Sequence, residues 1–70
     1  MKRYERVFKE KYIEDLDYDY LYTGMKVRLL RGRSEGQVGI VKDWDEEMDQ
    51  IDVKVGGRMS YVGLEDIVEA

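Results

Sequence analysis

The sequence predicts a mainly β fold: one small five-stranded barrel, preceded by a short N-terminal α-helix or arm. Three observations carry this expectation. Ile51, Val53 and Val55 alternate with Asp52 and Lys54, the two-residue period of a half-buried strand. Gly56-Gly57 comes next and signals a two-residue hairpin, because the primed turns need positive φ. Several short β-like runs fall between Gly24 and Ala70. They are too short for a two-sheet sandwich of ordinary size, and a small closed barrel would protect their edges.

The elements can be taken in chain order. From Lys2 to Leu16, the residues Tyr4, Val7, Phe8, Tyr12 and Leu16 recur at three- and four-residue steps, with Lys and Glu between them. This spacing predicts a short amphipathic helix, which at such a length needs a surface to pack on. In "DLDYDYLYTG", Tyr18, Tyr20 and Tyr22 recur with a two-residue period. Extended backbone would set the three rings on one side, as an edge strand or as an aromatic-acidic docking strip. Residues 1–23 are thus expected to form the helix and arm, and residues 24–70 the barrel.

Val27 and Leu29 mark a first strand and Val38 to Lys42 a second, with Gly39 where backbones approach closely or bulge. Asp43 to Gln50 reads as an acidic loop, Ile51 to Val55 as the third strand, and Arg58 to Val62 as the returning fourth. Gly63 to Asp66 forms a short turn before a last strand at Ile67-Val68. The expected core is Val27, Leu29, Val41, Ile51, Val53, Val55, Met59, Tyr61, Leu64 and Ile67.

Seventy residues make one small domain. There is no cysteine and no histidine. That removes disulfides, thiolate nucleophiles and the commonest general base and metal ligand. No stretch reads as a secretory signal or a membrane span, so a cytoplasmic protein without a membrane partner is expected. The net charge is −4, which opposes non-specific attraction to duplex DNA. The charge is unevenly placed, however. Lys26, Arg28, Arg31, Arg33 and Lys42 face one acid, Glu35, between Gly24 and Lys42. Asp43, Asp45, Glu46, Glu47, Asp49 and Asp52 come after them with no base in between.

The stretch "VRLLRGRSEGQVGIV" is glycine-rich, yet it fails the phosphate-loop patterns. Gly36 is succeeded by Gln37-Val38 rather than by lysine and a hydroxyl residue, and the residues from Val38 onward are β-like rather than helical. Gly32, Gly36 and Gly39, with Gly56 and Gly57, are therefore read as structural turn glycines. The span "GMKVRLLRGRSEGQVGIVKDW" resembles a KOW motif, the signature of the C-terminal domain of NusG-like transcription factors and of several large-subunit ribosomal proteins. The residues that carry the resemblance are Gly24, Val27, Leu29, Gly32, Gly36 and Gly39-Ile40-Val41. The downstream "IDVKVGGRMSYVGLEDIVEA" suits the remainder of an SH3-like barrel. The resemblance implies an SH3-like fold and contact with transcription or translation machinery: RNA polymerase, the ribosome, or RNA. Two features depart from that family. The loop after Trp44 is acidic, and the chain carries only a short segment before the barrel.

Enzyme chemistry is not expected. Thr23, Ser34 and Ser60 have no histidine to activate them. Asp43, Asp45, Glu47 and Asp49 sit at alternate positions as in an EF-hand, but Met48 stands where that loop needs glycine and Lys54 where it needs a bidentate Glu. No cofactor and no metal are expected. The candidate partner-binding residues are Arg28, Arg31, Arg33 and Lys42, whose guanidinium and ammonium groups suit phosphate or carboxylate, together with Trp44, Tyr18, Tyr20 and Tyr22. The leading expectation is a binding module on transcription or translation machinery. One alternative is an acidic regulator of phage type, whose carboxylates mimic nucleic acid on a basic surface such as that of a nucleic-acid-binding enzyme. Another is a structural subunit that self-associates through its N-terminal helix.

Overall fold

The structure is a computed structural model that describes residues 4–8 and 11–14 as backbone and residues 17–70 in full. Among the described residues seven strands run in order: β1 (Tyr4–Phe8), β2 (Lys11–Glu14), β3 (Lys26–Leu29), β4 (Val38–Asp45), β5 (Gln50–Val55), β6 (Arg58–Val62) and β7 (Ile67–Glu69). Two 3-10 turns, Tyr18–Tyr20 and Leu64–Asp66, are the only helical pieces among the described residues. The chain is mainly β. Strands β3 to β7 form one antiparallel sheet in the order β6-β5-β4-β3-β7, and β1 pairs with β2 in a separate two-stranded sheet.

This corrects the expected N-terminal helix. Val7 pairs with Tyr12 and Phe8 with Lys11 in an antiparallel ladder. Lys2 and Leu16, the expected ends of that helix, lie outside the described residues. Four of the residues that produce the three- and four-residue steps, Tyr4, Val7, Phe8 and Tyr12, are aromatic or β-branched. Such side chains lose rotamer freedom in a helix and suit a pleated surface. The tyrosine arm is corrected too. Tyr18–Tyr20 is a 3-10 turn closed by Tyr20 N–H on the Asp17 carbonyl (2.9 Å), so the three rings do not share one side. Tyr18 packs on the core while Tyr20 and Tyr22 are exposed.

The core lies on one face of the sheet. Val27 and Leu29 of β3, Val41 of β4, Ile51, Val53 and Val55 of β5, and Ile67 of β7 are buried together, joined by Leu21 and Met25. Burying each such aliphatic side chain contributes roughly 1.5–3 kcal/mol, so the arm residue Leu21 matters as much as any strand residue. Val68, which pairs with Arg28 on the opposite face, is also buried. Leu64 is partly buried against the cluster.

Two expected core residues are not there. Met59 is 42% exposed and Tyr61 63% exposed. The Gly56-Gly57 turn, with φ of 55° and 85°, pairs Val55 with Arg58. Because Val55 faces the core, Arg58, Ser60 and Val62 share its face, and Met59 and Tyr61 point the other way. A second register effect sits in β4, which runs three residues beyond the expected end at Lys42. Between Val41↔Val53 and Asp43↔Asp52 the register shifts, a bulge that places Lys42 outside the pairing. The bulge reverses the parity beyond it, so Trp44 pairs with Ile51 and packs on the core. The expected acidic loop shrinks to a turn between β4 and β5, where Asp49 adopts φ 51°.

The sheet curls without closing into a barrel. Its end strands, β6 and β7, share no ladder. Yet residues of β6 and the residues that leave β3 line one cleft, although two strands separate them in the sheet. Gly39 permits that curvature. A Cβ at this position would lie 2.7 Å from Val55 Cγ2 and 2.9 Å from the Lys54 carbonyl oxygen. Gly39→Ala is therefore expected to destabilise the protein by about 1–3 kcal/mol through overpacking. Thermal melting checks this, since each kcal/mol lowers the midpoint by about 4–8 °C in a domain of this size. An unchanged midpoint would contradict the close approach.

Candidate functional site

The cleft occupies about 390 Å3 between the free edge of β6 and the loop after β3. Arg58 to Val62 form one wall, and Leu29 with Arg31 to Ser34 the other. The loop is set by two successive turns, closed by Glu35 N–H on the Gly32 carbonyl (3.2 Å) and Gln37 N–H on the Ser34 carbonyl (3.0 Å). Gly36, at φ 85°, then returns the chain to β4 and donates its N–H to the Leu29 carbonyl at 2.7 Å. The Arg28 guanidinium donates to the Gly36 carbonyl at 2.9 Å. Arg28 thus fixes the loop.

The other arginines divide by role. Arg31 Nε lies 3.2 Å from Asp66 Oδ1, and its guanidinium also donates to the Glu65 carbonyl at 3.4 Å. Asp66 in turn accepts the Gly63 N–H through Oδ2 at 2.8 Å. An exposed pair of this kind contributes little stability, about 1 kcal/mol or less, but it orients Arg31 along the cleft wall. Arg33 and Arg58 are exposed, and neither side chain has a hydrogen bond or ion pair among the described residues. The cleft is therefore lined by three arginines, one anchored and two available, with Ser34 and Ser60 beside them. Planar five-donor groups of this kind suit carboxylate or phosphate.

The remaining candidates lie elsewhere. Lys42 is exposed at the β4 bulge, outside the cleft. Trp44 is half-buried on the core, its backbone N–H donating to Asp43 Oδ1 at 2.8 Å. Tyr20 and Tyr22 are exposed near the start of β3. Arg58 was not singled out by the sequence reading, yet the signal existed. A two-residue hairpin fixes Arg58 opposite Val55, and hence on the inward face at the sheet's edge.

At the far end of the β5–β6 hairpin lies the acidic turn. Asp45 Oδ1 accepts the N–H groups of Glu47 (3.1 Å) and Met48 (3.3 Å), which fixes the turn locally. Asp43 and Asp52 face each other across the β4–β5 ladder. Among the described residues no three carboxylates form a group able to hold a metal ion. The five residue steps of β5 separate this turn from Arg58 by roughly 17 Å, beyond a Debye length at physiological salt. The two ends of the molecule therefore present opposite charge almost independently.

Asp49 ties this end together. The Tyr18 hydroxyl donates to Asp49 Oδ1 at 2.5 Å, and the Leu64 N–H donates to the same oxygen at 3.0 Å. Gly63 leaves room for the carboxylate, since a Cβ there would lie 2.9 Å from Asp49 Oδ2. Burial, and then the bond to Asp49, push the Tyr18 phenol well above its ordinary range. The Tyr18 hydrogen bond, and then the Leu64 N–H, hold the Asp49 carboxyl below its ordinary range.

No family model matches the chain, and no curated protein or solved structure is similar to it.

The two pKa shifts give a signed expectation. Asp49 contributes stability that is complete above the ordinary carboxyl value of about 3.9 and is lost as pH falls through its depressed value. Tyr18 contributes stability that is complete below about 10 and is lost as pH rises through its raised value. Tyr18→Phe is expected to cost about 1 kcal/mol at pH 7, the low end for a bond to an exposed carboxylate. Urea denaturation from pH 3 to 11 should show the difference between the two proteins narrowing at both extremes. A constant difference would contradict the link.

Proposed function

We propose that this chain is a non-enzymatic binding module of the KOW-like, SH3-like kind, acting in the cytoplasm on transcription or translation machinery. The observation that carries the reading is the arginine-lined cleft: Arg33 and Arg58 stand unpaired among the described residues beside a free sheet edge. A cleft with available guanidinium forks, and no nucleophile paired with a base, suits recognition of an anionic partner rather than turnover. The glycine and valine pattern from Gly24 to Val41 adds the resemblance to KOW domains, and a curled five-stranded antiparallel sheet is compatible with it. RNA or an acidic protein segment of a polymerase or ribosome would meet the same groups. Duplex DNA is a poor match. With the chain at −4 overall, three cleft arginines give only a shallow salt slope, about −0.9 per phosphate neutralised.

The acidic end supports a second reading. Asp43, Asp45, Glu46 and Glu47 are all exposed, with the turn locked by Asp45. A constellation of fixed carboxylates can occupy a basic surface of a nucleic-acid-binding enzyme, as phosphates would. The third expectation, assembly through an N-terminal helix, loses its element, because β1 and β2 form a hairpin.

Affinity purification from cell lysate with three baits separates the two readings. The wild-type chain should recover RNA polymerase or ribosomal components, and the charge-reversed R33E/R58E chain should lose them. The D43N/E46Q/E47Q chain should retain them. Loss with the neutralised acidic turn, and retention with the reversed arginines, would overturn the cleft reading in favour of the mimic.

A further inference from the structure

We propose that the free edge of β6 accepts an extended peptide as a sixth strand, and that the peptide alternates acidic with apolar side chains. The inference rests on the binding-module reading and names the class of partner.

The edge is open. Among the described residues β6 ends the sheet and pairs only with β5, without a register shift over its five residues. Among the described residues no backbone group from Arg58 to Val62 bonds anywhere else. Proteins usually blunt such an edge with a bulge, a proline or a very short strand. None of these devices is present here, whereas the opposite edge strand, β7, spans three residues. Outward N–H and C=O groups of β6 therefore stand ready to pair with another extended backbone.

The side chains define what that backbone carries. Arg58, Ser60 and Val62 lie on the face shared with Val55, Val53 and Ile51, and Arg31 and Arg33 stand across the cleft from them. Met59 and Tyr61 lie on the other face, both exposed. Residues directly opposite in a ladder contact one another, and opposite charges or paired apolar groups favour the pairing. A strand added beside β6 would thus place every second side chain on the face of Arg58, Ser60 and Val62, towards Arg31 and Arg33 across the cleft, and the intervening ones against Met59 and Tyr61. Carboxylates satisfy the first set and apolar or aromatic groups the second. The same charges argue against a second copy as occupant. Pairing two β6 edges would concentrate six arginines of like charge in one seam, three from each copy.

The test uses the full chain and the synthetic peptide acetyl-(Glu-Val)4-amide as the probe, read by titration calorimetry and by amide chemical shifts. Saturable binding is expected, with shifts confined to 31–34 and 58–62. R33E and R58E should each weaken binding about tenfold, the loss of one charged hydrogen bond. Two further probes isolate the backbone pairing. Methylating the nitrogens of all four Glu residues, or of all four Val residues, removes the donors on one side of the strand only. One of the two methylated peptides should lose binding and the other keep it. Equal tolerance of both would overturn strand addition. Failure of the peptide, with tight and R33E/R58E-sensitive binding of oligouridylate at the same residues, would overturn the peptide class while leaving the binding-module reading intact.

Discussion

The missing side chain at Gly39 is the constraint on which the curled sheet depends. Gly39 lies on the core face of β4, paired with Val27 of β3. The space above it is taken by Val53 and Val55 of β5. That close approach lets the middle of the sheet bend over its own core. Bending brings the far strand, β6, round towards the loop that leaves β3, although β4 and β5 stand between them. The bulge at Lys42 completes the arrangement at the other end. By reversing the parity of β4, it turns Trp44 onto Ile51 and the core, where Val41 already packs. The cleft thus arises from the curl of the sheet, which brings β6 and the loop after β3 together, and not from the arginines that line it.

Much of this fold was legible where local rules act alone. The alternation of Ile51, Val53 and Val55 marks β5, and Gly56-Gly57 marks its hairpin, because both depend on neighbours in sequence. Gly39 was legible for the same reason, as a glycine inside a strand pattern. The failures have a common cause: they turn on parity or on competing periods. Met59 and Tyr61 are the largest apolar groups in β6, so size alone assigns them to the core. The two-residue turn overrules size by fixing Arg58 opposite Val55. Lys42 carries no sign of a bulge, since the shift becomes visible only when β4 is laid against β5. In the N-terminal segment, Tyr4, Val7, Phe8 and Tyr12 satisfy a helical spacing while their residue types prefer strands, and pairing between β1 and β2 decides the matter.

The site was legible only in part, for a related reason. The arginines at 28, 31 and 33 look alike in sequence. Their roles diverge because Arg28 reaches the Gly36 carbonyl and Arg31 reaches Asp66, partners 8 and 35 positions away along the chain. Arg58 joins Arg33 only through the curvature of the sheet. The same parity that expels Met59 and Tyr61 from the core gives β6 an apolar outer face and an arginine-bearing inner one. An apparent fault in core patterning is thus the feature that gives the edge its specificity. The acidic turn, held by Asp45 and Asp49, lies at the other end of the hairpin from Arg58.

The central claim is that the sheet ends in an open β6 edge beside the arginine cleft. Amide hydrogen exchange of the free chain tests it most directly. Within Arg58 to Val62, amides bonded to β5 should exchange slowly, and the alternate ones that face the cleft should exchange at nearly the rate of unstructured backbone. Uniform protection along all of β6 would mean that the edge is already paired, and would contradict the claim.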